Sequence, residues 1–196
     1  MRTEVMLDGP ASRLSKINTA PLHIVDTPIS PSSTVKDLGV YFECDLSLEK
    51  QVSELCKSCY YHIRTIGSIR HLLIEDSTAA LVRSLILSRI DYCNSLLLHI
   101  SQDLINRLQR IQNNAARIVT KTPKFASITP VLKRLRWLPI RARVDFKILT
   151  LTYQCVHRTA PVYLKELFRL YIPGGSGQEI ERIARPSANM SNSDSV

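Results

Sequence analysis

The stretch Leu104–Lys121, LINRLQRIQNNAARIVTK, decides the fold. Leu104, Leu108, Ile111, Ala115 and Ile118 recur at steps of four and three, the spacing that lines one face of an α-helix. Arg107, Arg110, Asn114, Arg117 and Lys121 recur at steps of three and four on a second face. One face can pack while the other presents cations. Ser101 supplies the N-cap, and Pro123 ends the helix.

Upstream, the pattern stays helical. Leu48, Val52, Leu55, Cys59, Ile63 and Ile66 predict a helix capped by Ser47 and running to about Ile69. Asp76 or Ser77 caps the next, which runs to about Tyr92. Its residues are apolar nearly all round, which predicts a central, buried helix. Before these lie short strand candidates at Thr3–Leu7, Leu22–Val25 and Val35–Phe42. In the last, Leu38, Val40 and Phe42 share a face, and Gly39 marks a bulge or a close backbone approach. Together they make a small antiparallel unit with too little surface to hold a core alone.

Downstream, Thr129-Pro130 supplies the N-cap and N1 pair of a short helix through Leu135. Trp137-Leu138-Pro139 breaks it, and Ile140, Val144, Ile148, Leu151 and Cys155 line another, from about Pro139 to His157. Ala160-Pro161 opens a last one, to about Leu170. Beyond Pro173 the sequence is rich in Gly, Ser and Asn, which predicts a flexible tail. The fold class is mainly α, a bundle of about five helices with a small antiparallel β portion at the N-terminus. The first three helices form one packed unit.

The 196 residues suit one domain, or one domain with a small appendage, and 44% are hydrophobic, enough for a core. The formal net charge of +9 favours a polyanionic partner. The charge is regional. Arg107, Arg110, Arg117, Lys121, Lys124, Lys133, Arg134, Arg136, Arg141, Arg143 and Lys147 crowd one segment, opposed only by Asp103 and Asp145. MRTEVMLDGP at the start holds no apolar run of signal-peptide length, and no stretch approaches the roughly 20 apolar residues of a membrane span. The expectation is a soluble intracellular protein of nucleus or cytoplasm, not secreted, with no membrane role. Five cysteines in such a setting predict free thiols.

Four segments carry a resemblance. They are RIDYCNSLL (Arg89–Leu97), LQRIQNNAARIVT (Leu108–Thr120), ITPVLKRLRWLPIRARVDFKILTLTY (Ile128–Tyr153) and HRTAPVYLKEL (His157–Leu167). In this order and spacing they resemble the region after the polymerase core in reverse transcriptases of non-LTR (LINE-type, jockey- and chicken-repeat-like) retrotransposons. Arg2–Leu7 is similar to the KTEV(L)L strand that follows the catalytic hairpin there, and Val35–Val40 to the LG-containing strand at the primer-grip hairpin.

The resemblance implies four parts. Residues 1–46 are a palm-edge, primer-grip-like β segment, and 47–122 a thumb-like helical bundle. Residues 123–172 are a C-terminal helical extension, and 173–196 the tail. It implies that the thumb and extension help to hold template and primer. It does not imply catalysis, because the family's metal-binding aspartates lie upstream of the KTEV strand. No Asp-Asp pair occurs in this chain, and two-metal phosphoryl transfer needs carboxylates that place two cations about 4 Å apart. The expectation is a reverse transcriptase fragment that is not an enzyme as it stands, with no cofactor and no metal.

The candidate nucleic-acid-binding residues are Arg107, Arg110, Arg117, Lys121 and Lys124, facing the phosphates of RNA or an RNA–DNA hybrid. The plainer alternative is a solvated helix face. Lys133 to Arg143 hold weaker candidates, some expected in ion pairs. Cys56-x-x-Cys59-x-x-His62 has metal-like spacing but sits within one helix without an evident fourth ligand, so Cys59 reads as a small core residue. Tyr92 and Asn94 suit the end of the second helix. Trp137 reads as an anchor between helices ahead of a base-stacking residue. Two other function classes remain beside nucleic-acid binding. One is a helical module that binds a protein partner, and the other is a transposon remnant with no role.

Overall fold

The computed structural model describes residues 4–9, 22–24 and 27–167. The tail expected over 173–196, Thr3 of the Thr3–Leu7 strand, Val25 of the Leu22–Val25 strand and the helix end near Leu170 lie outside them. The described residues are mainly helical. Two compact units divide at Ile148/Leu149.

The β portion of the first unit is two short antiparallel ribbons. β1 (Leu22–Ile24) pairs with β2 (Thr27–Ile29), and β3 (Thr34–Asp37) pairs with β4 (Val40–Glu43) in the register Val35↔Phe42. Residues 4–9 form no regular strand, although the carbonyl of Val5 accepts from Ser32 N and Gly9 N donates to the carbonyl of Cys44. The single strand expected over Val35–Phe42 is a hairpin. Leu38 (φ 45°) and Gly39 (φ 86°) both take positive φ, as a two-residue turn between twisted strands requires. Leu38 is therefore 82% exposed at the turn and does not share the face of Val40 and Phe42.

α1 (Glu49–Ile69) buries Val52, Cys56, Cys59, Ile63 and Ile66, an apolar stripe at helical spacing. Its start differs from the expected Ser47 cap. Leu48 holds the cap position in a left-handed conformation, with its side chain in the core. The Glu43 carboxylate accepts from Lys50 N (2.9 Å) and from the Ser47 hydroxyl (3.1 Å), so a strand residue caps the helix. An anionic group there also suits the positive end of the helix dipole.

A 3₁₀ turn (Arg70–Leu72) leads to α2 (Glu75–Val82), which starts after Ile74, a residue before Asp76 and two before Ser77. A π-helical turn (Arg83–Leu87) joins α2 without a break to α3 (Ser88–Asp91). The buried residues are Thr78, Ala79, Val82, Ile86, Leu87 and Ile90, while Ala80, Arg83, Ser84, Ser88 and Arg89 are exposed. The helix is thus one-sided, not buried all round. The π turn inserts an extra residue into the repeat and scatters its apolar positions.

A 3₁₀ segment (Asn94–His99) leads to α4 (Gln102–Thr120), the basic helix. Ser101 caps it, its hydroxyl accepting from Leu104 N. Leu104, Ile105, Leu108, Ile111, Gln112, Ala115, Ala116 and Val119 are buried. α1 and α4 run in the same direction. Ser53, near the start of α1, meets Arg107, and Arg70, just past its end, meets Ile118 and Val119. α5 (Thr129–Leu135) and the first half of α6 (Ile140–Val156) complete the unit by burying Leu132, Trp137, Ile140 and Val144. Seven α-helical segments lie among the described residues, where a bundle of about five helices is expected. The π turn divides one helix of the sequence pattern into two segments, and the short α-helix Val162–Leu167 lies in the second unit.

In the second unit the last turns of α6 meet α7 (Val162–Leu167) through a tight bend. Arg158 is left-handed (φ 59°), and the backbone N–H groups of Thr159 and Ala160 both donate to the carbonyl of Gln154. Cys155 and Ala160 are buried there.

Candidate nucleic-acid interface

The five expected cations do not share one environment. Arg107 is half-buried and donates from Nη2 to the Ser53 hydroxyl (3.1 Å). Arg117 is also half-buried. Its Nη1 donates to the carbonyls of Pro123 (2.7 Å) and Ala126 (3.0 Å), which ties the loop after α4 to the helix. Arg110, Lys121 and Lys124 are exposed. Their side chains make no hydrogen bond or ion pair among the described residues. Lys121 ends α4 in a left-handed conformation (φ 54°), which turns the chain sharply into the loop. The stripe divides into two cations with protein partners and three that face solvent.

Arg107 also lines a cleft of about 540 Å³ between α1 and α4, with Ser53, Cys56, Lys57, Tyr60 and Arg64 on the opposite wall. Those α1 residues are spaced three, one, three and four apart, so one helical face supplies the wall. Lys57 pairs with Glu54 (2.7 Å), an exposed contact of small energy. Arg64 has no ion pair among the described residues. The result is a cleft with three cations, a hydroxyl and a phenol. Sequence reasoning missed Lys57, Tyr60 and Arg64. Their signal was present as a polar stripe at helical spacing on α1, but only the partner helix turns that stripe into a cleft wall.

Burial pushes the Cys56 thiol above its ordinary range, and the Arg107 guanidinium beside it offsets part of that rise. Cys59 lies deeper and is pushed up to about 12, chiefly by burial. Both thiols are neutral at physiological pH and pack as small apolar groups. Among the described residues, no three His, Cys, Asp or Glu side chains come together as a metal site.

In the segment that follows Lys124, the side chains of Lys133, Arg136 and Lys147 are exposed with no hydrogen bond or ion pair among the described residues, whereas three arginines are engaged. Arg134 pairs with Glu75, and Arg143 pairs with Asp91 (2.5 Å) and donates to the Leu138 carbonyl. Arg141 donates to the Leu98 carbonyl (3.0 Å) and lies 3.9 Å from Asp145. These side chains fasten α5 and α6 to the bundle. Trp137 is buried at 8% exposure among the helices, which removes it as a base-stacking surface. Tyr92 does not serve the helix end. Its hydroxyl donates to the Leu38 carbonyl (2.8 Å) and holds the hairpin turn against α3.

No helix among the described residues is long and apolar enough to cross a membrane. In comparisons with known proteins, no family model, no curated protein and no solved structure matches the chain.

Proposed function

We propose that the chain is a thumb-and-extension fragment of a non-LTR retrotransposon reverse transcriptase that grips the backbone of RNA or an RNA–DNA hybrid without catalysing polymerisation. One observation supports the grip above others. Ten Lys and Arg residues and no Asp or Glu lie between Asp103 and Asp145, and Arg110, Lys121 and Lys124 among them are exposed without a protein partner. Unopposed cations on α4 and in the loop after it attract phosphates and release counterions on contact. The α1–α4 cleft adds Lys57 and Arg64 of α1 beside Arg107 of α4.

A salt series tests this reading. The purified chain is titrated against a labelled RNA–DNA hybrid, with Arg110→Glu/Lys121→Glu alongside. The expected result is affinity that falls steeply with salt in the wild type and is weak in the variant. Affinity that is flat against salt, or equal in the variant, speaks against a phosphate grip.

A second reading, a protein-binding helical module, draws on the second unit. Leu149, Tyr153 and Val156 recur at steps of four and three on α6 and are exposed, as are Val162, Tyr163 and Leu167 on α7. A partner with an apolar helical face fits such a surface. Leu149→Asp/Tyr153→Asp then abolishes the protein complex, whereas Arg110→Glu/Lys121→Glu leaves it intact.

A further inference from the structure

The loop after α4 is constructed around two residues. Pro123, Lys124, Phe125 and Ala126 form a turn closed by Ala126 N donating to the Pro123 carbonyl (3.2 Å). Arg117 reaches from α4 and donates to the carbonyls at both ends of that turn. Thr122 N donates to the Arg117 carbonyl, and the Thr120 and Thr122 hydroxyls are 2.6 Å apart. Pro123 restricts its own φ at the turn's first position. The central positions go to Lys124 and Phe125. Phe125 is 98% exposed, the most exposed large apolar side chain among the described residues. Its ring stands in water on a turn that is clamped from behind.

An aromatic ring held out beside cations is suited to a flat apolar ligand that carries negative charge. A nucleic-acid strand with an unpaired base has both features. The base covers the ring, and its neighbouring phosphates meet Lys124 and Lys121. A duplex cannot offer a free base face except at its end or at an unpaired site. No carboxylate in the loop repels the strand, since none occurs between Asp103 and Asp145. An anionic membrane surface also attracts lysine and an aromatic ring. Here, however, Phe125 is the only large apolar residue from Lys121 to Ser127, and its insertion would carry Lys124 and the hydroxyls of Thr122 and Ser127 out of water.

We infer that Phe125 is a stacking platform for an unpaired base, flanked by phosphate contacts from Lys121 and Lys124, so that the loop selects single-stranded nucleic acid. This rests on the nucleic-acid reading above and adds a strand preference to it.

The test measures binding of the full chain to a short labelled single strand, to a blunt duplex of the same sequence, and to phosphatidylserine vesicles. Phe125→Ala and Phe125→Trp are compared with wild type. The expected result is a loss of about tenfold for Phe125→Ala on the single strand, with the salt slope unchanged and duplex binding unaltered. Phe125→Trp retains the wild-type affinity, and a fluorescent base analogue in the strand is quenched by wild type but not by Phe125→Ala. An equal loss on both nucleic acids, or no loss on the single strand, overturns the stacking role and leaves the phosphate grip standing. Binding to vesicles alone, or to no nucleic acid, overturns both.

Discussion

Arg70 and Ile118 are joined by a 2.7 Å hydrogen bond from the Arg70 Nε to the Ile118 carbonyl, across 48 residues of sequence. The same guanidinium donates from Nη2 to the Val119 carbonyl (2.7 Å) and from Nη1 to the Leu73 carbonyl (2.6 Å). The last carbonyls of a helix lack intrahelical partners, and here a cation from α1's end satisfies two of them in α4. Positive charge also suits that end of the helix dipole.

Arg70→Ala is therefore expected to destabilise the chain by about 2 kcal/mol, because charge-assisted bonds are lost and part-buried carbonyls are left without partners. Arg70→Lys recovers only part of this, since an ammonium cannot reproduce the fork geometry. Urea unfolding followed by circular dichroism reads both, as a lower midpoint at unchanged slope.

Gln112 is the test of the buried polar layer. It is fully buried; its Nε2 donates to the Leu138 carbonyl (2.8 Å) and its Oε1 accepts from Gln109 (2.9 Å). Gln109 in turn accepts from Ile140 N (2.9 Å), so two glutamines from α4 fasten the start of α6. Gln112→Ala leaves a cavity and removes the buried one of two donors to the Leu138 carbonyl, which keeps Arg143, at a cost of roughly 2 kcal/mol. Since Leu138 adjoins Trp137, a red shift of tryptophan emission is expected in the variant before global unfolding.

The split among the cations gives a prediction for binding. Arg110→Ala and Lys124→Ala are each expected to lower the salt slope of nucleic-acid affinity by about 1, with stability unchanged. Arg117→Ala acts differently. It frees the Pro123–Ala126 turn, costs about 1–2 kcal/mol of stability and weakens single-strand binding without a matching change in slope. Thermal unfolding and salt titration on the same samples separate the two behaviours.

Cys59 makes stability depend on alkaline pH. Its folded value near 12 stands above the ordinary 9.0, so the unfolded chain loses this proton first. Stability is unaffected by this group below pH 9 and falls as pH rises from about 9 towards 12. Cys59→Ala is expected to cost about 1 kcal/mol at neutral pH yet to flatten the decline above pH 9 relative to wild type. Cys56 is raised in the same direction, so some of the slope persists. Urea midpoints measured across that range show the crossover.

Much of this architecture was legible in the chain. The apolar stripes of α1 and α4 follow from local spacing, and Ser101, Pro123 and Pro130 mark ends because their backbone chemistry acts within a few residues, although Ile128 and not Thr129 holds the cap position of α5. The misses have non-local or masked causes. A two-residue turn at Leu38-Gly39 leaves the apolar pattern of Val35–Phe42 unbroken, so a hairpin reads as one strand. The carboxylate that caps α1 sits on β4, beyond the reach of a local capping rule. The π turn shifts the repeat within one helix and imitates a helix buried on all sides. For the site, the cationic face of α4 was readable, but not which cations are engaged. Arg107 and Arg117 are occupied by Ser53 and by loop carbonyls, contacts that periodicity does not encode.

The parallel run of α1 and α4 has a kinetic consequence. Antiparallel neighbours can zip from a short loop, but parallel ones need the chain to return to its starting end. The Ser53–Arg107 contact spans 54 residues, and α2 and α3 must be accommodated within that circuit before the pair can close. Loop closure of this length comes ahead of the main apolar contact. The bundle should consequently fold more slowly than an up-and-down bundle of equal size, with its rate set by topology and not by helix formation.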